Sequence, residues 1–408
     1  MSMNILVMKF GGTSVANLDR IRNVASIINK EYKDFKLVVV LSAMSGVTND
    51  LQKLIDEVDY DNSPETDLVI TSGEQVSVAL LSMILNKMHI NSIPMLGWQI
   101  PIITDNSYGK AKILNILDNE ILRHLKKFDV VIIAGFQGIS QEGKITSLGR
   151  GGSDTTAVAI ATILKAERCD IYTDVDGIYS TDPNIDKTAK KINKISYEEM
   201  LEMSSLGSKV LQTRSVELAM KNNISLQVLS SIVKSQGTLI VNEEKLIEKE
   251  MVSGVSYNTN ESKISISGVP DKPGIAATIF DILSKSNIDV DMIVQNISQD
   301  GISANLTFTV QSNEMNIAKR LLEKSKLAIN YKSITTNSKV AKVSVIGMGM
   351  KSQSGVAQKM FQTLADKKIN ILAISTSEIK ISVLIEEIYT ELAIKSLHKA
   401  YNLREKNK

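Results

Sequence analysis

Lys9-Phe10-Gly11-Gly12-Thr13-Ser14-Val15 places a cation and two glycines directly after the apolar run Ile5–Met8 and ahead of a helical pattern that resumes near Leu18. Glycine lets backbone approach a ligand closely, and free N–H groups at a helix start attract anions. With the lysine charge beside them, the chemistry is phosphate binding. The stretch fits neither G-x-x-x-x-G-K-[ST] nor G-x-G-x-x-G, and alone it also suits an ordinary strand–turn with a solvated lysine. Gly149-Arg150-Gly151-Gly152-Ser153-Asp154 precedes a second helical pattern, Thr155–Lys165. Glycines give a ligand room, and arginine grips a carboxylate with two parallel hydrogen bonds. Ser153 or Asp154 also reads as the N-cap of that helix. Glu74 opens a helix after Thr71-Ser72-Gly73, where the helix dipole favours a carboxylate. Thr173-Asp174-Val175-Asp176-Gly177-Ile178-Tyr179 lacks the acid spacing of a calcium loop. As a loop after a strand it suits a nucleotide's base and ribose, with Tyr179 packing on the base. Gly138–Lys144 fits G-x-x-x-x-G-K, but Ile145 stands where a hydroxyl would be needed, and Gln141–Lys144 reads as a hairpin turn. His89, His124 and His398 are scattered, so no metal site and no general base is assigned to them.

The elements that must hold these residues alternate in type. Strand candidates are Ile5–Met8, Leu37–Leu41, Ser92–Met95, Val130–Ala134 and Asp170–Thr173. Helical patterns fall between them at Leu18–Lys30, Gln75–Lys87, Ala111–Lys127 and Thr155–Lys165. Short Val/Ile runs read as parallel strands buried on both faces. Their alternation with helices predicts an α/β fold, a three-layer α/β/α sandwich with a mainly parallel sheet. Ligands of such sheets bind at the carboxyl ends of the strands, which is where the motifs lie.

At 408 residues the chain is long enough for two or three domains. Hydrophobic residues at 43% and charged residues at 23% are ordinary for a globular protein. A net charge of +2 gives no reason to expect nucleic acid or a membrane surface. Cys169 is the single cysteine, which excludes an intrachain disulfide framework, and it reads as a core residue. There is no signal-peptide pattern, and apolar runs such as Leu37–Leu41 are too short to cross a bilayer. A reducing cytoplasm is expected.

Around Asn242–Lys249 the chain turns charged, and the main boundary is placed there. Beyond it lies a repeat with a period of about 80 residues, which means two duplicated small domains rather than a solenoid. Ser265-Ile266-Ser267-Gly268 matches Ser344-Val345-Ile346-Gly347, Gly274 matches Gly355, and Ile288-Asp289-Val290 matches Ile369-Asn370-Ile371. Each copy reads as a ferredoxin-like β-α-β-β arrangement. The domains are set at 1–245, 246–338 and 339–408, and the first strand after the boundary is open to assignment to the last domain.

Taken together, the Lys9 motif, Ser42–Thr48, Thr71–Gln75, Gly149–Asp154 and Tyr172–Tyr179 resemble the signature set of the aspartokinases. Asp271-Lys272-Pro273-Gly274 and Ile374–Glu378 are similar to that family's paired ACT domains. The resemblance covers nearly the whole chain. It implies an amino acid kinase fold and ATP-dependent phosphorylation of the aspartate β-carboxylate, the first step toward lysine, threonine and methionine, with Mg²⁺ carried by ATP. It implies catalytic roles for Lys9 and Asp154. Ser42, Thr48, Glu74, Arg150, Gly151 and Ser153 would bind aspartate, with Arg150 on the α-carboxylate and Glu74 on the α-amino group. Lys9, Phe10, Gly11, Gly12, Thr173, Asp174, Tyr179 and Lys209 would bind the nucleotide. Lysine, threonine or both would inhibit through Asp271, Gly274, Asp289, Val290, Asp291, Gln295, Asn370, Ile371, Thr376 and Ser377. The first ACT unit would be inserted within the second, so that Val252–Tyr257 pairs with the C-terminal unit. ACT pairing implies a homo-oligomer, and Met251 is a candidate internal start for a separate regulatory subunit. No homoserine dehydrogenase extension is recognised. Two other classes stay open: a kinase of the same fold acting on glutamate, acetylglutamate, carbamate or a nucleotide monophosphate, and a silent amino-acid-binding regulator.

Overall fold

A computed structural model describes residues 4–59, 62–205, 210–245, 251–298, 301–352 and 355–405. The chain divides into two compact units: Met1–Ile178 with Lys191–Ser205 and Lys209–Ile247, and Tyr179–Lys190 with Leu206–Ser208 and Glu248–Lys408. The units are not contiguous in sequence, because the short segment Tyr179–Lys190 packs with the C-terminal one.

The first unit is built on an eight-stranded sheet. Its order is Lys194–Ser196, Thr238–Val241, Leu226–Ser230, Arg168–Thr173, Ile5–Phe10, Lys36–Leu41, Val130–Ala134, Ser92–Met95. All neighbours are parallel except Leu226–Ser230 against Thr238–Val241. Ile5–Phe10, Lys36–Leu41 and Val130–Ala134 are buried almost throughout, which is why their residues are continuously apolar rather than alternating. Their side chains pack with the helices Leu18–Glu31 and Gly73–Lys87 in one apolar cluster. The sandwich predicted from the pattern is the one observed. Helix starts follow local chemistry: Asn17 caps Leu18–Glu31 through Arg20 N, and Ser63 and Thr66 form a reciprocal capping box with Pro64 at the first helical position. Pro64–Lys87 is apolar and long enough to cross a bilayer by composition alone, but half of its most apolar window is buried in this unit.

Two expectations change. Ala111–Lys127 is not one helix: Ile113–Ile116 is a strand paired antiparallel with Ile102–Thr104, and only Asp118–Leu125 is helical. Cross-strand pairing outweighs the helical period there. The partner strand belongs to a small four-stranded sheet that also contains the hairpin Gln137–Ser140/Ile145–Ser147. Gly143, with φ +78°, turns that hairpin, as Gln141–Lys144 predicts. The helix after the arginine loop runs Gly152–Ile163, so Ser153 and Asp154 lie inside its first turn, and Gly151, with φ +72°, occupies the cap position.

The second unit carries one six-stranded sheet, ordered Asp291–Ile297, Ser303–Gln311, Gly254–Pro270, Ser333–Ile346, Lys380–Glu386, Ala373–Thr376. Gly254–Pro270 is one long strand serving both halves. Its first residues pair with Lys342–Ile346, and its later ones pair with Ser303–Gln311. The strand after the boundary thus joins the C-terminal repeat. Ile275–Ser284 and Met315–Lys324 cover one half, and Val356–Asp366 and Thr390–Ala400 the other, each pair over its own apolar cluster.

Candidate active site

The parallel register brings the motifs to one edge. Phe10 pairs with both Leu41 and Tyr172, its ring stacks on Tyr172 at 4.5 Å, and Gly11 N donates to Tyr172 O. A cleft of about 570 Å³ opens beyond these strand ends. It is lined by Lys9, Ser42, Thr48, Glu74, Arg150–Asp154 and Thr173 among others. Gly12 sits against Ala43, where an added Cβ would come within 3.1 Å of the Ala43 carbonyl, so a side chain there would press on that backbone.

Lys9 is nearly buried, and its ammonium forms an ion pair with Asp154 Oδ1 at 2.5 Å. Asp154 is 6% exposed. Glu74 is 2% exposed in the first turn of Gly73–Lys87. Its Oε1 accepts from Ala43 N at 3.0 Å, and its buried Oε2 has no hydrogen-bond partner among the described residues. Burial pushes its pKa up to about 7, against a weaker downward pull from the backbone donors of Ala43 and Glu74 itself. Arg150, by contrast, is exposed at the cleft edge, and among the described residues no carboxylate pairs with it. The cleft therefore offers a buried acceptor, an uncommitted guanidinium and a cation beside two glycines. Such a set fits an ammonium, a carboxylate and a phosphate respectively.

Other predicted residues fall as follows. Thr173 lines the cleft and its hydroxyl donates to Asp174 Oδ1 at 3.1 Å. Tyr179 belongs to the second unit and is not among the lining residues. Lys209 lies outside the described residues. In the second unit, Asp271 is exposed ahead of Gly274, which caps Ile275–Ser284 with φ +92°. Asp289 and Val290 lead into the edge strand that carries Asp291 and Gln295. Asp291 pairs with the buried Lys342, which also reaches Glu261 Oε1 at 3.1 Å; that lysine holds its pKa below the usual carboxylate range, although burial opposes it. Asn370, Ile371, Thr376 and Ser377 flank or end the opposite edge strand, Ala373–Thr376. Asp67, Ser147 and Gln212 also line the cleft and were not foreseen. They come from three separate elements that no motif links.

Residues 4–230 match the model of the amino acid kinase family, and residues 264–325 and 343–401 match an ACT domain. Fold and cleft thus define an amino acid kinase that carries ACT domains. Aspartate kinase of Pseudomonas fluorescens is 50% identical over 98% of both chains, and aspartokinase of Pseudomonas aeruginosa is 48% identical with the same coverage. The crystal structure of Escherichia coli aspartokinase III with aspartate and ADP superposes with a TM-score of 0.83 at 26% identity, covering 97% of this chain and 99% of that one. This chain belongs to the aspartate kinase family, whose reaction is ATP-dependent phosphorylation of the aspartate β-carboxylate.

Proposed function

We propose that Glu74 holds the α-ammonium of aspartate, Arg150 its α-carboxylate, and Lys9 with Gly11 and Gly12 the phosphates of ATP. The observation that carries this is the unpartnered, buried Oε2 of Glu74 in the same cleft as Lys9 and Arg150. Ser42, Thr48, Gly151 and Ser153 complete the amino-acid pocket, while Phe10, Thr173, Asp174 and Lys209 serve the nucleotide. Held at both α-groups, aspartate presents its β-carboxylate to the phosphate end. A carboxylate oxygen bonds to the γ-phosphorus as the bond to the ADP oxygen breaks. The nucleophile is already an anion at neutral pH, so no general base is needed, and the absence of histidine from the cleft lining is consistent with that. The obstacle is repulsion between two anions, which Lys9 and the backbone N–H groups offset. Asp154 orients Lys9 and the transfer centre. Mg²⁺ enters on the ATP phosphates, where it neutralises charge on the transferring group.

Lysine, threonine or both inhibit through the ACT positions named above, as befits a unit ending in two such domains. Escherichia coli aspartokinase III has been crystallised with lysine and aspartate in its T-state, with a TM-score of 0.78 to this chain. The enzyme works in the cytoplasm as a homo-oligomer paired through its ACT domains, and Met251 can start a separate regulatory subunit. The test is an ADP-release assay on aspartate with hydroxylamine trapping of the acyl phosphate. Lys9→Ala and Asp154→Ala each lower turnover about 10²- to 10³-fold without unfolding the protein. Near-normal rates in both would refute the phosphate-site assignment, and activity on glutamate but not aspartate would refute the substrate.

A further inference from the structure

Asp67 is a carboxylate with every appearance of a site residue and none of its freedom. It lines the cleft yet is 1% exposed. Gly109 N donates to both of its oxygens at 3.0 and 3.1 Å, Ser147 N donates to Oδ2 at 2.7 Å, and the Ser147 hydroxyl donates to Oδ1 at 2.8 Å. No lysine or arginine pairs with it among the described residues. Burial pushes its pKa up, and the Ser147 and Gly109 donors pull it back. An anion so fully satisfied by N–H and O–H groups has no capacity left for substrate.

Its partners bracket the arginine loop. Ser147 ends a strand directly before Leu148-Gly149-Arg150. Gly109 abuts the same loop, since a Cβ on Gly149 would come within 2.9 Å of the Gly109 carbonyl. A half-buried charge holds the other side: the Arg214 guanidinium donates to Leu148 O and to Ala111 O, both at 3.1 Å. One anion gathers N–H groups and one cation gathers carbonyls, around a turn whose glycines have positive φ at positions 149 and 151. Such a turn does not hold its own shape, because glycine adopts many others equally well.

We propose that Asp67, seconded by Arg214, is a positioning residue that fixes Leu148–Gly152 and so aims Arg150 at the α-carboxylate of the acceptor. This rests on the assignment of Arg150 above. Asp67→Asn is nearly isosteric but places an NH₂ group where the backbone N–H groups of Gly109 and Ser147 must be accepted, and it cannot satisfy all three donors. A misplacement of about 1 Å in a contact of this kind can cost about 10²-fold in rate.

The experiment is steady-state kinetics of the full chain with both substrates varied, in a cycle of Asp67→Asn, Arg150→Ala and the double variant. Asp67→Asn should raise KM for aspartate about tenfold or more while KM for ATP stays within about twofold. In the Arg150→Ala background the same substitution should add little, because the group it positions is gone. Ser147→Ala, which removes one hydroxyl donor, should shift KM for aspartate in the same direction by less, and this variant carries the test if Asp67→Asn does not fold. Equal rises in both KM values, or multiplicative effects in the double variant, would overturn the proposal while sparing the role of Arg150. An Arg150→Ala enzyme with unchanged KM for aspartate would overturn both.

Discussion

A carboxylate that is 2% exposed, accepts one N–H and leaves one oxygen unpaired is costly to ionise. Glu74 is such a group, and its pKa of about 7 states that cost. Its raised pKa means the folded state holds the proton more tightly than the unfolded chain. The ionised group therefore lowers stability progressively as pH rises from about 4.5 to about 7, and by a constant amount above that. Substrate reverses the balance, because an ammonium beside Oε2 favours the anion. The kcat/KM for aspartate should then fall as pH drops below about 7, whereas kcat, measured with the ammonium in place, should titrate at lower pH. Glu74→Gln should remove that acidic limb and raise KM for aspartate. Identical profiles in wild type and Glu74→Gln would mean that another group titrates.

At the scale of elements, two glycines separate strain from contact. Gly143 and Gly151 have φ of +78° and +72°. A Cβ on Gly143 meets nothing within 4 Å, whereas one on Gly151 would lie 1.9 Å from Gln212 Cγ. Both alanine variants carry the left-handed penalty of roughly 1–2 kcal/mol. Gly143→Ala should lower the melting temperature and leave kinetics alone. Gly151→Ala must also displace Gln212 from the cleft and disturb the turn before Ser153 and Asp154, so turnover should fall as well; kinetics matching Gly143→Ala would show the loop to be tolerant. The same elements mark how far the chain is readable. The continuous apolar strands and the glycine motifs carry local signals, and the sheet, the cleft and most of its charged residues follow from them. Ile113–Ile116 and Asp67 carry none. The first is a strand because Ile102–Thr104 lies beside it, and the second matters because Gly109 and Ser147 converge on it from distant positions. Ser153 and Asp154 looked like caps because their side chains suit one, yet the positive φ available to Gly151 places the cap two residues before Ser153.

For the whole molecule, the division into units bears on where a regulatory fragment can begin. The second unit includes Tyr179–Lys190, far upstream of Met251. Within that unit His398 is fully buried, with Nε2 2.9 Å from Ser180 Oγ and Nδ1 3.1 Å from Asp186 Oδ2. Ser180 also donates to Leu403 O, just past the last helix, so with the His398 contacts the segment is bonded to the C-terminal end of the chain. A fragment Met251–Lys408 keeps both apolar clusters of the two repeats and should fold, but it leaves His398 without its two side-chain partners. An unsatisfied buried polar group costs about 1–3 kcal/mol. Thermal melts should therefore show opposite responses to His398→Leu: destabilisation of the full chain, where Asp186 and Ser180 lose their partner, and stabilisation of the fragment, where none is lost. Destabilisation of both would mean that the fragment satisfies His398 by another route, and that Tyr179–Lys190 is dispensable to the regulatory unit.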